Sequence, residues 1–189
     1  MDSELLARCQ SGDPQAIEAL VHEHQAKIYR LCLSMLDDAA EAEDATQESF
    51  IAAFKALKSY RGDSAFQTWL ISIALNVCRS SLRQRKRRTR LSETLEDPSL
   101  SGDNIPTPEQ HTMRSEESRA LWTAISKLDE KHRMPIFLRY YHELSTAEIA
   151  SVLGINEGTV HSRLSIARTQ LAGALKRAQA RSRKARPAK

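Results

Sequence analysis

Cysteine is scarce in this 189-residue chain. Cys9, Cys32 and Cys78 are odd in number, far apart, and form no CxxC pair, which argues against a disulfide framework or a paired-thiol motif. Each falls within a helical pattern and reads as a small buried residue, as suits a reducing cytosol. Long apolar runs are also missing. No stretch approaches the roughly 18 apolar residues of a membrane-spanning helix. The opening MDSELLARCQSGD is acidic and has no long apolar core, so no signal peptide is expected. Strand signals are nearly absent, because Val and Ile are scattered and never alternate over a useful length.

Catalytic signatures are lacking too. There is no HExxH, no GxxxxGK[ST] loop and no GxSxG. His22 and His24, two apart, fall on different faces of a helix and make a poor metal pair. Hence no enzymatic role, metal or cofactor is expected. No repeat links the two halves of the chain.

What is present is charge, unevenly placed. Hydrophobic residues at 41% and charged residues at 28% give the balance of a soluble globular protein. The formal charge of +4 permits a nucleic-acid partner without requiring one. Its distribution says more. Arg79, Arg83, Arg85, Lys86, Arg87, Arg88 and Arg90 crowd one stretch; Lys176, Arg177, Arg181, Arg183, Lys184, Arg186 and Lys189 crowd the end. Asp37, Asp38, Glu41, Glu43, Asp44 and Glu48 form an acidic block with no base inside it. Such segregation suggests two different partner surfaces.

Helical periodicity runs almost throughout. Asp13 or a neighbour is expected to cap a helix with Pro14 at its first position, running to about Leu36, with Ile17, Leu20, Val21, Ile28, Leu31 and Met35 inward. A second helix spans about Ala39 to Leu57, with Ala45, Phe50, Phe54 and Leu57 inward. SYRGDSAFQ interrupts the pattern, and Ser64 with Gln67 has capping-box spacing, so a third helix starts near Ala65. It carries two apolar faces, one of Phe66, Trp69, Leu70, Ile73 and Val77, the other of Ile71, Ala74, Leu75, Cys78 and Leu82. A helix apolar on most sides is the centre of its domain. One polar stripe remains: Thr68, Ser72, Asn76, Arg79, Ser80 and Arg83.

From about Leu91 the chain turns into a Pro- and acid-containing segment that reads as an extended linker. Helices resume near Pro108 and continue through Leu128; Asp129 can cap the next, which ends near His142 and should kink at Pro135. Ser145 and Glu148 make a capping box for a helix from about Thr146. Ile149, Ala150 and Leu153 face inward, Gly154 suits a left-handed helix end, and Asn156 can cap a following helix whose inner stripe is Val160, Leu164, Ala167 and Leu171. This is a helix-turn-helix pattern. The outer face (Gly158, Ser162, Ser165, Thr169) is small and polar, no acid follows Glu157, and Arg163 and Arg168 flank it. Small residues let a helix sit deep in a major groove, while arginines reach phosphates. The fold class expected is therefore all-α: two small helical domains joined by a flexible acidic linker, the second with a helix-turn-helix. The expected divisions are residues 1–90, a linker at 91–113, residues 114–175, and a basic tail at 176–189.

DAAEAEDATQESFIAAFKAL, YRGDSAFQTWLISIALNVCRSSLR and LSTAEIASVLGINEGTVHSRLSIARTQL occur in that order over most of the chain. Together they resemble the signatures of bacterial RNA polymerase sigma factors of the extracytoplasmic-function group (sigma-70 superfamily, group 4). The resemblance implies a cytoplasmic helical adaptor whose partners are core RNA polymerase, through the beta-prime clamp and beta flap, and promoter DNA, with an anti-sigma factor as a regulator and no membrane insertion. It places polymerase binding on Glu41, Asp44, Gln47, Glu48 and Phe50. It places the minus-ten element on Tyr60, Gly62, Asp63, Ser64, Asn76, Arg79 and Arg83, where a flipped base can be held by loop hydrogen bonds and phosphates by arginine. It places the minus-thirty-five element on Thr159, His161, Ser162, Arg163, Ser165, Ile166 and Arg168.

Asn76 fits either a bidentate base contact or a buried carbonyl, and Phe66 and Trp69 fit core packing better than base stacking. The chain departs from the family where Lys or Arg is usual at His161 and Arg is usual at Ile166. The linker fits an RNA-mimicking strand or a plain tether, and the tail a frayed helix or a disordered segment. A stand-alone helix-turn-helix regulator is the alternative; it needs an effector or receiver domain, and the first half shows no strand-rich receiver pattern.

Overall fold

The computed structural model describes residues 3–93, 121 and 123–185, without the side chains of residues 3, 91–93 and 179–185. Every regular element among them is helical. The chain divides into two compact units, Met1–Pro106 and Thr107–Lys189.

The first unit packs α1 (Ser3–Gln10), α2 (Pro14–Leu36), α3 (Ala39–Ala56) and α4 (Phe66–Glu93), with a short 3-10 turn, Leu57–Ser59, after α3. Asp13 caps α2 by accepting from the backbone N–H groups of Gln15 and Ala16, directly ahead of Pro14. The Arg8 guanidinium, 2.7 Å away, holds the Asp13 carboxyl below its usual range. Asp37 ends α2 in the left-handed conformation, and Asp38 caps α3 through the Glu41 N–H.

α2, α3 and α4 pack against one another in pairs. Leu20, Ile28, Leu31 and Leu36 of α2 and Leu70, Ile71, Ala74 and Leu75 of α4 are fully buried. α4 buries much of both predicted apolar faces, but it is not the centre of its unit: it shares the core with α2 and α3, and α2 also packs on α1. Ile17, Val21, Phe54, Trp69, Ile73 and Leu82 are only half-buried. Thr68 departs from the predicted polar stripe and is buried, 4% exposed. It lies one helical turn before Ile71 and two before Leu75, so it follows them into the core.

All three cysteines are buried and free. Hydrogen bonding to Cys32 and burial push the Cys78 thiol far above the usual thiol range.

In the second unit, residues 123–126 are helical, followed by α5 (Glu130–Tyr140), α6 (Thr146–Leu153) and α7 (Glu157–Ala185). Asp129 caps α5. The helix continues through Pro135, which is fully buried. Ser145 and Glu148 form the predicted capping box, each side chain bonded to the other's backbone N–H. Gly154 ends α6 at φ 66, with Ile155 N–H bonded to Ala150 O at 3.0 Å and Gly154 N–H to Ser151 O at 3.3 Å. This is the Schellman closure. Asn156 Oδ1 then accepts from the Thr159 N–H at 2.7 Å and starts α7.

A Cβ at residue 154 would meet nothing within 4 Å, so only the backbone conformation resists a side chain there. Gly154→Ala is expected to cost about 1–2 kcal/mol, and Gly154→Asn less. Thermal melts check this; equal stability of all three would remove the left-handed turn as the reason for glycine.

Two boundaries differ from expectation. The segment assigned to the linker begins inside α4, which runs to Glu93; the rest of that segment lies outside the described residues. The basic tail, expected from residue 176, starts inside α7, which is helical as far as Ala185 and so fits the helical reading of the tail better than the disordered one. Its alanine content favours helix, and no proline intervenes before Pro187.

Candidate functional site

α3 presents a single polar face. Asp44, Gln47 and Glu48 are exposed at helical spacing, and Ile51, 54% exposed, continues the same face one turn on. Phe50 does not belong to it. At 6% exposed it turns inward with Thr46, Ala53 and Leu57, which are four before, three after and seven after it. The sequence places Ile51 neither among the inward residues of this helix nor among its contact residues. Glu41 is half-exposed and lies 3.8 Å from Arg85 of α4, tying the start of the acidic face to the basic arm.

The loop between the 3-10 turn and α4 is closed by its own ends. The Tyr60 hydroxyl donates to Ser64 O at 2.6 Å, and Gly62 takes φ 80 at the bend between them. Tyr60 packs on Trp69 at 5.0 Å and edge-on to Phe66 at 5.8 Å, while Phe66 also meets His24 at 5.5 Å. Burial, with Asp63 nearby, pushes the Tyr60 phenol up.

Phe66 is core, as predicted, whereas the half-buried Trp69 braces the loop. Gly62, Asp63 and Ser64 stay exposed beside Arg61, a cation the sequence reading passed over. Lys27 donates to Gln67 at 3.1 Å, fastening the start of α4 to α2. Asn76 and Arg83 are exposed and Arg79 half-buried along one side of α4. The exposure of Asn76 favours an outward contact over a buried carbonyl.

On α7, Val160, Leu164 and Ala167 are buried, and Gly158, His161, Ser162, Ser165, Ile166, Arg168 and Thr169 are exposed. Thr159 is the exception among the predicted contacts. Its N–H and hydroxyl both donate to Asn156 Oδ1, the hydroxyl at 2.7 Å, so it serves the helix cap. Ser162 donates back to Thr159 O at 3.0 Å, a bond it can exchange cheaply for an outside partner. Arg163 is half-buried on one margin. On the other margin Arg168 Nε donates to the Tyr140 hydroxyl at 2.9 Å.

Among the described residues, no group of His, Cys, Asp and Glu could hold a metal. No described helix is long and apolar enough to cross a membrane. The arrangement offers an acidic helix face, an exposed loop leading into a helix whose far half is basic, and a helix-turn-helix with an acid-free outer face.

Comparison with known proteins identifies the family. Residues 20–88 match Sigma-70 region 2 and residues 118–171 match Sigma-70 region 4. The chain is 40% identical to the RNA polymerase sigma-H factor of Pseudomonas aeruginosa over 180 residues, covering 92% of this chain and 93% of that protein. It is 34% identical to the ECF RNA polymerase sigma-E factor of Haemophilus influenzae, covering 90% and 93%. The fold is similar to that of the sigma factor RpoE from Bartonella quintana, solved in complex with the anti-sigma factor NepR. That likeness has a TM-score of 0.68 at 23% identity and covers 84% of this chain and 96% of that one. Matches to both sigma regions decide against a stand-alone regulator. The chain belongs to the extracytoplasmic-function group of the sigma-70 family: it is a sigma factor, which binds core RNA polymerase and directs promoter-specific initiation of transcription.

Proposed function

We propose a division of labour among the three surfaces. The outer face of α3 (Asp44, Gln47, Glu48 and Ile51, with Glu41 at its edge) docks on the beta-prime clamp, and the second unit meets the beta flap. The Tyr60–Ser64 loop takes a minus-ten base, while Asn76, farther along α4, makes a base contact of its own and Arg79 and Arg83 hold phosphates. α7 reads the minus-thirty-five element through His161, Ser162, Ser165 and Ile166, with Arg163 and Arg168 on the backbone. The chain works in the cytoplasm and makes no bonds itself; the polymerase does the chemistry, and this subunit spends binding energy on finding and opening DNA. An anti-sigma factor holds it silent, a reading supported by the fold likeness to RpoE, which was solved with NepR.

The carrying observation is the outer face of α7: exposed Ser162 and Ser165, no acid after Glu157, and arginine on both margins. Small hydroxyls allow close approach to base edges. The test is transcription by the reconstituted polymerase from a promoter library varied in its upstream element. Ser162→Ala and Ser165→Ala are each expected to shift the preferred upstream sequence, by about tenfold at one position. Identical upstream preferences in all three proteins would rule out direct reading by these serines.

A further inference from the structure

We propose that Tyr140 and Arg168 form a preassembled clamp for one DNA backbone phosphate at the edge of the recognition helix. This rests on the reading of α7 as the minus-thirty-five helix.

Tyr140 is the last residue of α5 and is 61% exposed, unusual for so large a ring. It is not a core residue at the margin of packing. Its hydroxyl accepts from Arg168 Nε at 2.9 Å, and the Arg168 guanidinium carbon sits 5.8 Å from the centre of its ring. The ring therefore holds the cation by a hydrogen bond and by cation–π attraction at once.

The donor arithmetic identifies the ligand. Tyr140 Oη uses a lone pair to accept from Nε, and its own O–H remains to donate. Arg168 spends Nε on the phenol and keeps the four hydrogens on its two Nη atoms. The result is an O–H donor beside an N–H fork, with one positive charge and no carboxylate in the contact. A tetrahedral oxyanion with several acceptor oxygens satisfies that set better than a neutral group does.

Position identifies the source of the anion. Arg168 and His161 are seven residues apart, so they share one margin of α7 to within about 20°. Exposed Ser165 lies one turn before Arg168. A phosphate on the strand flanking a groove-bound α7 meets this margin. The clamp also has a reason to exist here. His161 supplies no fixed charge on this margin, and Ile166, 45% exposed, supplies none on the outer face. One arginine already held in place loses less rotamer freedom on binding than a free one.

The test uses the full chain and a fluorescein-labelled mixed-sequence DNA duplex, followed by anisotropy across a salt series. Tyr140→Phe keeps the ring and removes the hydroxyl; affinity is expected to fall about three- to tenfold with the melting temperature unchanged. Arg168→Ala should lower affinity further and reduce the salt dependence by about one ion. The double variant should bind no worse than Arg168→Ala, because the hydroxyl acts together with the guanidinium. Wild-type affinity for Tyr140→Phe, or fully additive losses, would overturn the clamp. Ser162→Glu separates this from failure of the underlying reading. If it weakens binding while Tyr140→Phe does not, only the clamp fails. If it changes nothing, α7 is not the DNA surface and both readings fail.

Discussion

Replacing Asp44 with arginine is expected to weaken binding to core RNA polymerase by about ten- to hundredfold, while stability stays within about 0.5 kcal/mol of the parent. Asp44 is exposed on the outer face of α3, with Gln47, Glu48 and Ile51 along the same face. Among the described residues the Asp44 side chain has no hydrogen bond or ion pair, so its reversal is expected to leave packing intact. At a complementary interface the same reversal sets like charges against each other and leaves a partner cation without its acid. Co-elution on a sizing column and titration of labelled core polymerase both read the loss. Unchanged affinity would remove Asp44 from the docking surface and shift attention to the neighbouring elements.

The neighbours Phe50 and Ile51 should behave in opposite ways. Phe50→Ala is expected to cost about 3–5 kcal/mol, because it empties a buried site between helices. A loss that large uses up much of the stability of a unit this size. Ile51→Ala removes an exposed side chain, so stability should hardly change, whereas polymerase affinity should fall about tenfold. Urea unfolding followed through Trp69, in a Trp122→Phe background, reads the first effect; the polymerase titration reads the second. If Phe50→Ala unfolds like the parent, its burial has been overstated. If Ile51→Ala binds polymerase like the parent, the apolar end of the face is not an anchor.

That pair shows where sequence reading succeeds and where it stops. Several helix starts and stops are legible because they are closed locally: Asp13 with Pro14, Ser145 with Glu148, Gly154, and Asn156. The chemistry of a cap lies within three or four residues, so a short string reveals it. The inner stripe of α7 was legible for a similar reason, since Val160, Leu164 and Ala167 recur at an unambiguous spacing.

α3 was harder. Its core face is built of Ala42, Ala45, Thr46, Ser49 and Ala53, small or polar residues that leave little apolar contrast. Phe50 therefore takes two roles in the sequence, inward and polymerase-facing, and Ile51 takes none, until the neighbouring helices are placed. Contacts across long separations were not legible at all. The Tyr140–Arg168 bond joins residues 28 apart, and Lys27 to Gln67 spans 40. For the tail the sequence leaves helix and disorder both open, because its charge argues for disorder while its alanines and the absence of a nearby breaker favour the helix that runs on to Ala185.

The capped helix starts of the second unit also bear on how fast it forms. Asp129, Ser145 and Asn156 each close their helix through a backbone N–H three positions along, and Gly154 fixes the turn between α6 and α7 over a span of five residues. Little of this structure waits for distant segments to meet, so the loop-closure entropy that slows folding is small. Helical units dominated by local contacts fold in about microseconds to milliseconds. After any unfolding event, the turn that aims α7 re-forms from its own few residues.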